Sequence, residues 1–526
     1  MRNKTHSEET VLALLSTAIS LVSLLYFFRR GELLLYGDAV AHINIARRVV
    51  DSLTPGLLQL GTVWLPLPHL ITIPFVTFDS AWQSGIAGSF GSMFGFIAGT
   101  LGVFRILTEL ASRPSAWLAA LLYACNPNLV YLQSTAMTES IYMAAMVWAI
   151  AYLITFIKAL NERRAARAGS ALVKSGVAIA AAMYTRYDGW ILGACVGLCA
   201  LYYWTTAEAA LRSGTRKHAA MFAALILVPP LSWLGYNWWV FHNPLEFANG
   251  PYSARAIALR SMQAGQTPHP GYDSPWVSWV YFIKTAKLNV GDGKWQNVLL
   301  HITVLASLLG ALRKQWRPAL LLWVPLPFYI FSIAYGGVPI FIPVWTPYSY
   351  YNVRYGLQLL PVIAVFTGLG LELVLRVNYS KRFNQIAVGV FAAIALLSYV
   401  SVVREVPLCL REAKVNAVTR VAMETALAKE LEHLPSSSTL VMYTGDHVGA
   451  LQQAGIHLKR VVTENNWERW KLALADPAGA ADYVVAIDGD PVAEAAQKHP
   501  SDLESLLVIH SLDKPPIHIY KSHRRR

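Results

Sequence analysis

Apolar segments long enough to cross a lipid bilayer recur about eleven times along the chain, and they constrain the fold more than any other feature. The first runs from Val11 to Phe28 and is followed by Arg29 and Arg30 with no small-residue cleavage pattern, so we expect a retained helix rather than a cleaved signal peptide. The chain has 55% hydrophobic and 14% charged residues, and its mean hydropathy is +0.39. This pattern predicts an α-helical polytopic membrane protein with about 11 transmembrane helices.

Basic residues concentrate in four short loops between these segments. The loops run from Lys158 to Lys174, from Arg212 to Lys217, from Arg313 to Arg317 and from Arg376 to Arg382. Loops rich in Lys and Arg face the cytoplasm, and two apolar segments separate each successive pair. We therefore predict a cytoplasmic N-terminus, with residues 29–83 and 405–526 outside. The net charge of +13 is explained by topology and anionic lipid, so nucleic acid is not an expected partner.

Three stretches depart from the simple pattern of spans. Residues 62–78 are apolar but contain Pro66, Pro68 and Pro74, which favours an interfacial or re-entrant segment. Residues 242–295 form a long outer segment, within which residues 275–288 are predicted to be a helix on the membrane surface. The repeated glycines between Gly85 and Gly102 predict close packing of helices rather than a phosphate loop.

The C-terminal part has a different character. Five short β-type runs, at 440–443, 460–463, 483–487, 506–510 and 517–520, alternate with helical stretches. This alternation predicts a small extracytoplasmic α/β domain over residues 405–526, following a transmembrane domain over residues 1–404.

Five ionisable residues lie at the outer ends of predicted spans: Asp38, Glu139, Arg186, Asp188 and Arg354. A carboxylate where hydrocarbon gives way to water is a candidate functional group. An arginine offers a planar fork for phosphate oxygens, and a nearby carboxylate can accept a proton from a hydroxyl. The residues alone leave a structural alternative open, in which Arg186 pairs with Asp188 and Arg354 reaches toward water.

The order of these features resembles the GT-C superfamily of glycosyltransferases, in particular its protein O-mannosyltransferase and aminoarabinose transferase branch. The matching residues are Asp38, His42, Ala46 and Arg47, then the proline-rich Trp64 to Leu70, and finally Arg354-Tyr355 before a span. The resemblance covers roughly residues 10 to 400. Many relatives carry a second acid directly after the first, where this chain has Ala39.

The resemblance implies a membrane enzyme of the cell envelope that moves a sugar from a polyprenyl-phosphate carrier to an acceptor hydroxyl outside the cytoplasm, with inversion. Asp38 and Glu139 would be catalytic, with Asp38 as the general base. The residues expected to bind substrate are His42, Arg186, Asp188, Arg354 and Tyr355. Because Ala39 replaces the second acid, no obligatory metal or other cofactor is expected, with a divalent metal as the alternative.

Several points stay open at this stage. The expected partners are the lipid-linked sugar donor, membrane lipids and an acceptor that is a protein, a lipid or a glycan. The plasma membrane is the expected location. One alternative function is a flippase or other transporter of lipid-linked glycans, in which the same charges would line a translocation path. A second alternative is an O-antigen ligase or polymerase type of enzyme.

Overall fold

A computed structural model describes residues 2–377, 380–445, 447–511 and 513–524. Its helices in the first half of the chain are α1 Arg2–Arg29, α2 Gly37–Val50, α3 Leu67–Val76, α4 Asp79–Ser84, α5 Ile86–Leu110, α6 Arg113–Ala124, α7 Pro127–Leu132, α8 Glu139–Asn161, α9 Ala165–Met183, α10 Asp188–Thr205, α11 Ala209–Phe241, α12 Glu246–Asn249 and α13 Ala254–Gln263.

The second half contains α14 Pro275–Val290, α15 Val298–Ala311, α16 Pro325–Tyr335, α17 Leu360–Leu375, α18 Lys381–Arg404, α19 Leu408–Leu431, α20 Val448–Gln453, α21 Glu468–Ala475, α22 Pro477–Ala480 and α23 Pro491–Lys498. Short 3₁₀ helices lie at Leu57–Leu60, Gly293–Trp295, Lys314–Trp323, Val353–Leu359, Leu458–Arg460 and Glu464–Asn466.

Among the described residues, seven helical stretches are long and apolar enough to cross a membrane: His6–Arg29, Ile86–Leu110, Glu139–Asn161, Ala209–Phe241, Lys314–Tyr335, Val353–Leu375 and Lys381–Leu431. The chain is therefore an integral membrane protein, as predicted. The other predicted spans coincide with helices that are shorter, interrupted or less apolar, such as α6 with α7, and α15. The expected number of eleven spans and the orientation of the termini remain predictions.

The glycine-rich face of α5 packs closely on α8. A Cβ atom at Gly95 would lie 2.7 Å from the backbone nitrogen of Ile141, and one at Gly102 would lie 2.5 Å from Cγ2 of Val147. Only glycine permits this approach, so the predicted packing role of these glycines is confirmed. This contact fixes α5 and α8 relative to each other. The first residue of α8 is Glu139.

The stretch that precedes α5 does not cross the membrane as one helix. It contains α3, whose ten residues span about 15 Å, half of the hydrocarbon thickness. Pro68 lies at the start of α3, where its missing N–H is tolerated, and Pro74 lies near its end. The prolines thus limit the helix, as expected for an interfacial or re-entrant segment.

The long segment from 242 to 295 contains regular secondary structure. It contains α12, α13 and all of α14. In α14 the exposed Trp276 and Trp279 rings stack at 4.8 Å, whereas Tyr281 and Phe282 are buried. The predicted helix is present, and its place on the membrane surface remains a prediction.

The C-terminal part contains the expected five-stranded sheet. The strands are β1 Leu440–Met442, β2 Val461–Val462, β3 Tyr483–Ile487, β4 Leu503–Ser511 and β5 Lys514–Ser522, in the order β2-β1-β3-β5-β4. The pairs β1/β2 and β1/β3 are parallel, and the β5 pairs are antiparallel. Each of the five β-type runs predicted from sequence overlaps one strand.

The C-terminal part is fastened to the membrane part through α2 and α19. The side-chain amide of Asn44 donates to Gln452, whose own amide donates to the carbonyl of Trp82. The Arg420 guanidinium donates to the carbonyls of Leu34 and Leu35, just before α2. These contacts bring loops of the sheet domain over α2, where they form part of a cavity.

Candidate active site

Asp38 lies in the first turn of α2, directly after the loop that follows α1. The N–H groups of a helix's first turn have no intrahelical partner, and they favour a carboxylate there. The Asp38 side chain is 38% exposed and lines a cavity of about 800 Å³. It is therefore accessible to a ligand in that cavity.

Arg354 forms an ion pair with Asp38 across the fold. Its Nε lies 3.4 Å from Oε1 of Glu139, and its Nη1 lies 3.7 Å from Oε1 of Glu412. The guanidinium also lies over the ring of Tyr355, at 4.9 Å from its centroid. One buried arginine thus joins three carboxylates that come from α2, α8 and α19.

Arg186 lies beside this group. Its Nη1 is 3.6 Å from Glu139 and donates to Thr138 at 3.0 Å, and its Nη2 donates to Tyr329 at 2.6 Å. Its Nε is 3.5 Å from Oδ1 of Asp188. Glu139 therefore bridges Arg186 and Arg354, and all five charged residues predicted for the site belong to one cluster.

Exposure separates the members of this cluster. The carboxylates of Glu139, Asp188 and Glu412 are 1% exposed or less, in contrast to Asp38. The lining of the cavity includes Asp38, Arg354 and Tyr355 but not Glu139, Arg186 or Asp188. A ligand in the cavity would contact Asp38, Arg354 and Tyr355 directly. It would interact with the other three residues only through Arg354.

His42 occupies a different environment from the one expected of a substrate-binding residue. It is buried, its Nδ1 lies 2.8 Å from Nε2 of His69 on α3, and its ring lies 4.9 Å from that of Trp64. Burial lowers the pKa of His42 to about 4, so the ring is neutral at pH 7. The cavity lining does not include His42, and the side chain joins α2 to α3.

Arg47, which follows Ala46 in the family-like motif, is a buried structural residue. Its Nε donates to Asp51 at 2.8 Å, its Nη1 to the carbonyl of Val76 at 2.6 Å and its Nη2 to Asp79 at 2.7 Å. His457 from the C-terminal part lies 3.0 Å from the same Nη2. Arg47 thus holds α2 against α4 and the sheet domain.

The cavity follows the length of α2. The α2 side chains that line it recur at helical spacing, namely Asp38, Ala41, Asn44, Ile45 and Arg48, and Ser52 follows the helix. Asp38 and Arg48 are ten residues apart, which corresponds to about 15 Å along a helix axis. The opposite walls come from residues 241–272, from residues 337–355 and from two loops of the sheet domain.

Glu412 and Tyr36 belong to the cluster and were missed from sequence. The Tyr36 hydroxyl donates to Glu412 at 2.8 Å, and the Tyr36 ring lies 5.1 Å from the guanidinium carbon of Arg354. Glu412 follows the last predicted span at a short distance, so the signal that singled out Asp38 applied to it as well. The predicted domain boundary at residue 405 hid it, because it placed Glu412 in a separate domain.

Within the described residues, no group of three or more His, Cys, Asp and Glu side chains is arranged to hold a metal ion. The expectation about metal dependence therefore remains a prediction.

Comparison with known proteins bears on the fold. Residues 82–233, less than half of the chain, match the family described as dolichyl-phosphate-mannose-protein mannosyltransferase. The structure of apo ArnT from Cupriavidus metallidurans superposes with a TM-score of 0.55 at 14% identity, over 97% of this chain and 98% of that one. The chain has the GT-C fold. This confirms the fold that the sequence motifs suggested.

A second GT-C structure, ArnT from Cupriavidus metallidurans bound to undecaprenyl phosphate, superposes with a TM-score of 0.56 at 13% identity. It covers 96% of this chain and 97% of that one. No curated protein matches the sequence. The family-model match includes Glu139, Arg186 and Asp188, whereas Asp38 and Arg354 lie outside it. The GT-C fold extends over both the membrane part and the sheet domain.

Proposed function

We propose that this protein is a membrane glycosyltransferase that moves a sugar from a polyprenyl-phosphate carrier to an acceptor hydroxyl outside the cytoplasm. The observation that carries the proposal is the ion pair of Asp38 with Arg354, which faces a cavity of about 800 Å³. The GT-C fold and the family-model match support a glycosyltransferase, and one of the similar ArnT structures holds undecaprenyl phosphate.

Arg354 is the proposed partner of the donor phosphate. Its guanidinium lines the cavity, and Glu139 and Glu412 hold it from behind. A fork of this kind can bind two phosphate oxygens, and it stabilises the negative charge that grows on the departing phosphate. Arg186 is proposed to act indirectly, because it contacts Glu139 but does not line the cavity.

Donor binding would also release the base. Without donor, the Asp38 carboxylate is paired with Arg354, and that contact occupies a carboxylate oxygen that would otherwise be open to the acceptor. A phosphate on Arg354 would compete with Asp38 for the same nitrogen atoms. Asp38 would then be free to accept a hydrogen bond from the acceptor hydroxyl, so that deprotonation follows donor binding.

The reaction proposed at this site is a direct displacement. Asp38 takes the proton of the acceptor hydroxyl, and the oxygen forms a bond to the anomeric carbon. The bond from that carbon to the phosphate oxygen breaks, and its electron pair leaves with the polyprenyl phosphate beside Arg354. Attack from the face opposite the phosphate inverts the configuration of the sugar.

The test is incubation of the purified protein with a panel of polyprenyl-phosphate sugars, scored for release of polyprenyl phosphate. We expect one donor to be consumed and Asp38→Asn to stop its consumption. Asp488→Asn is the matched control, because Asp488 is a half-exposed carboxylate of the sheet domain outside the cavity lining. A flippase would instead move labelled donor across proteoliposome membranes without cleaving it, and that result would overturn the proposal.

A further inference from the structure

The end of the cavity remote from Asp38 contains Arg48, which lies near the Glu464 carboxylate but is not paired with it. The Arg48 Nε donates to the carbonyl of Gln59, and no ion pair of Arg48 occurs among the described residues. Burial lowers the pKa of Arg48 to about 10, so the group stays charged at neutral pH. A partly buried cation that faces a cavity favours an anionic ligand.

Two polar atoms beside this arginine also have no partner. Ser52 is 9% exposed and Gln59 is 5% exposed, and both line the cavity. The hydroxyl oxygen of Ser52 and the Oε1 of Gln59 are buried without a hydrogen bond in the described structure. Buried polar atoms are nearly always satisfied, so their orphan state indicates a ligand or water that supplies hydroxyl groups.

The sheet domain completes this end of the cavity. Its contribution includes Thr444, Glu464, Asn465, Asn466 and Trp467. The Gln59 side-chain nitrogen donates to the Asn465 carbonyl at 3.2 Å, which ties the two walls together. The Glu464 carboxylate accepts hydrogen bonds from the backbone nitrogen and the hydroxyl of Thr444. Amide and hydroxyl groups therefore line this end of the cavity, together with the Arg48 guanidinium and the Glu464 carboxylate.

Trp467 adds an aromatic surface in a strained conformation. Its φ of 48° and ψ of −101° are unusual for a bulky residue, and such strain is found where function requires it. The ring is 44% exposed at the cavity wall, 5.8 Å from the ring of Phe241. An open aromatic face next to amides and hydroxyls is suited to a sugar ring, which offers C–H groups on its faces and hydroxyls at its edge.

We propose that this region is the acceptor subsite, and that it binds a saccharide bearing a phosphate or carboxylate, with Arg48 as the residue that selects the anionic group. The inference rests on the proposed function, since Asp38 would act on a hydroxyl of the same acceptor at the other end of α2. The donor phosphate is placed separately, on Arg354. The phosphate of the lipid-linked donor could present the same chemistry to Arg48, so the experiment separates the two sources.

The experiment measures binding of trehalose 6-phosphate, of trehalose and of undecaprenyl phosphate to the full-length protein by calorimetry in detergent. We expect trehalose 6-phosphate to bind at least about tenfold more tightly than trehalose. Arg48→Gln should remove that preference and Arg48→Lys should retain part of it, while undecaprenyl phosphate binds all variants equally. Arg469→Gln is the control, because Arg469 is exposed close to Trp467 but does not line the cavity.

Two outcomes would overturn the inference. One is equal or undetectable binding of both sugars to the wild-type protein when undecaprenyl phosphate still binds, which shows that the protein is folded. The other is a weaker affinity of Arg48→Gln for undecaprenyl phosphate, which assigns Arg48 to the donor. If Asp38→Asn retains full turnover while the Arg48-dependent preference persists, the proposed mechanism fails and the anionic subsite stands.

Discussion

Charged side chains at the two ends of α2 differ in whether they form ion pairs. At its start, Asp38 and Arg354 are paired, and Glu139, Glu412 and Arg186 continue the pairing behind them. At its other end Arg48 forms no ion pair with any described residue, although Glu464 is near, and Ser52 and Gln59 have polar atoms without a hydrogen bond. A paired site is preorganised and must exchange partners when a substrate arrives, whereas an unpaired site gains its partner from the ligand. The contrast is consistent with the proposed chemistry at the first end and the proposed selection of the acceptor at the second.

The largest expected effect concerns the base at the paired end. Asp38→Asn keeps the shape of the side chain but removes the proton acceptor, so we expect kcat to fall by about a hundredfold to ten-thousandfold. Donor binding should be retained or become tighter in the same variant, because the neutral Asn competes less with the donor phosphate for Arg354. The measurement is release of polyprenyl phosphate under single-turnover conditions, with binding of undecaprenyl phosphate measured in parallel. Turnover near the wild-type rate would remove Asp38 from the chemistry.

The next effect concerns the stability of the folded protein at acid pH, which depends on His42, one helical turn from Asp38. The pKa of His42 is about 4 in the folded protein, and an unfolded histidine has a pKa of about 6.5. Below pH 6.5 the unfolded state binds the extra proton, so stability falls as the pH drops from about 6.5 to about 4 and changes no further below that. The loss from this residue is about 3 kcal/mol at most.

The measurement is thermal unfolding in detergent between pH 4 and pH 8. His42→Asn should show a flatter profile over this interval, whereas His433→Gln, an exposed histidine, should follow the wild type. Identical profiles for wild type and His42→Asn would show that burial of His42 does not control the acid response.

A smaller effect, on the affinity for the donor phosphate, is expected when Arg354 or Arg186 is replaced singly. Arg354→Ala should weaken binding of undecaprenyl phosphate by roughly 1.5 to 3 kcal/mol, the range for a hydrogen bond to a charged group. Arg354→Lys should recover only part of this, because lysine lacks the planar fork. Arg186→Ala should have the weaker effect, since Arg186 does not line the cavity. If Arg186→Ala is the more damaging variant, the donor phosphate lies deeper than proposed.

The smallest effect concerns the aromatic wall at the unpaired end. Trp467→Ala should raise KM for a saccharide acceptor by about tenfold or less and leave donor affinity unchanged, because one aromatic contact contributes about 0.5 to 1.5 kcal/mol beyond its area. Trp276→Ala is a matched control, since Trp276 is exposed and does not line the cavity. A change in kcat with KM unchanged would place Trp467 in the chemical step instead.

Local signals were sufficient for much of the fold. The β-type runs that became β1 to β5, and the glycine spacing of α5, could be read from short windows because strand burial and helix contact repeat with fixed periods. The charged residues at span ends were also found individually, because a charge at that depth is rare. In the structure Arg186 and Arg354 both contact Glu139, and the shared membrane boundary remains a prediction.

The remaining features depend on contacts between distant parts of the chain. The role of Glu412 and the docking of Gln452 on Asn44 require the sheet domain to fold back over α2, which no local pattern encodes. Arg48 was overlooked because its neighbour Arg47 matched the family-like motif. Adjacent helical positions differ by about 100° in direction, so one arginine enters the protein core and the other faces the cavity.

The length of α2 has a consequence for the substrate. The helix is held at both ends, by Arg354 at Asp38 and by Arg47 with His457 near Arg48, so the interval of about 15 Å between Asp38 and Arg48 is fixed rather than adjustable. The fixed interval sets the distance that must separate the anionic group and the reactive hydroxyl of an acceptor. An acceptor whose anionic group lies much closer to its reactive hydroxyl could occupy either end but not both, and the enzyme would reject it by size without any steric clash.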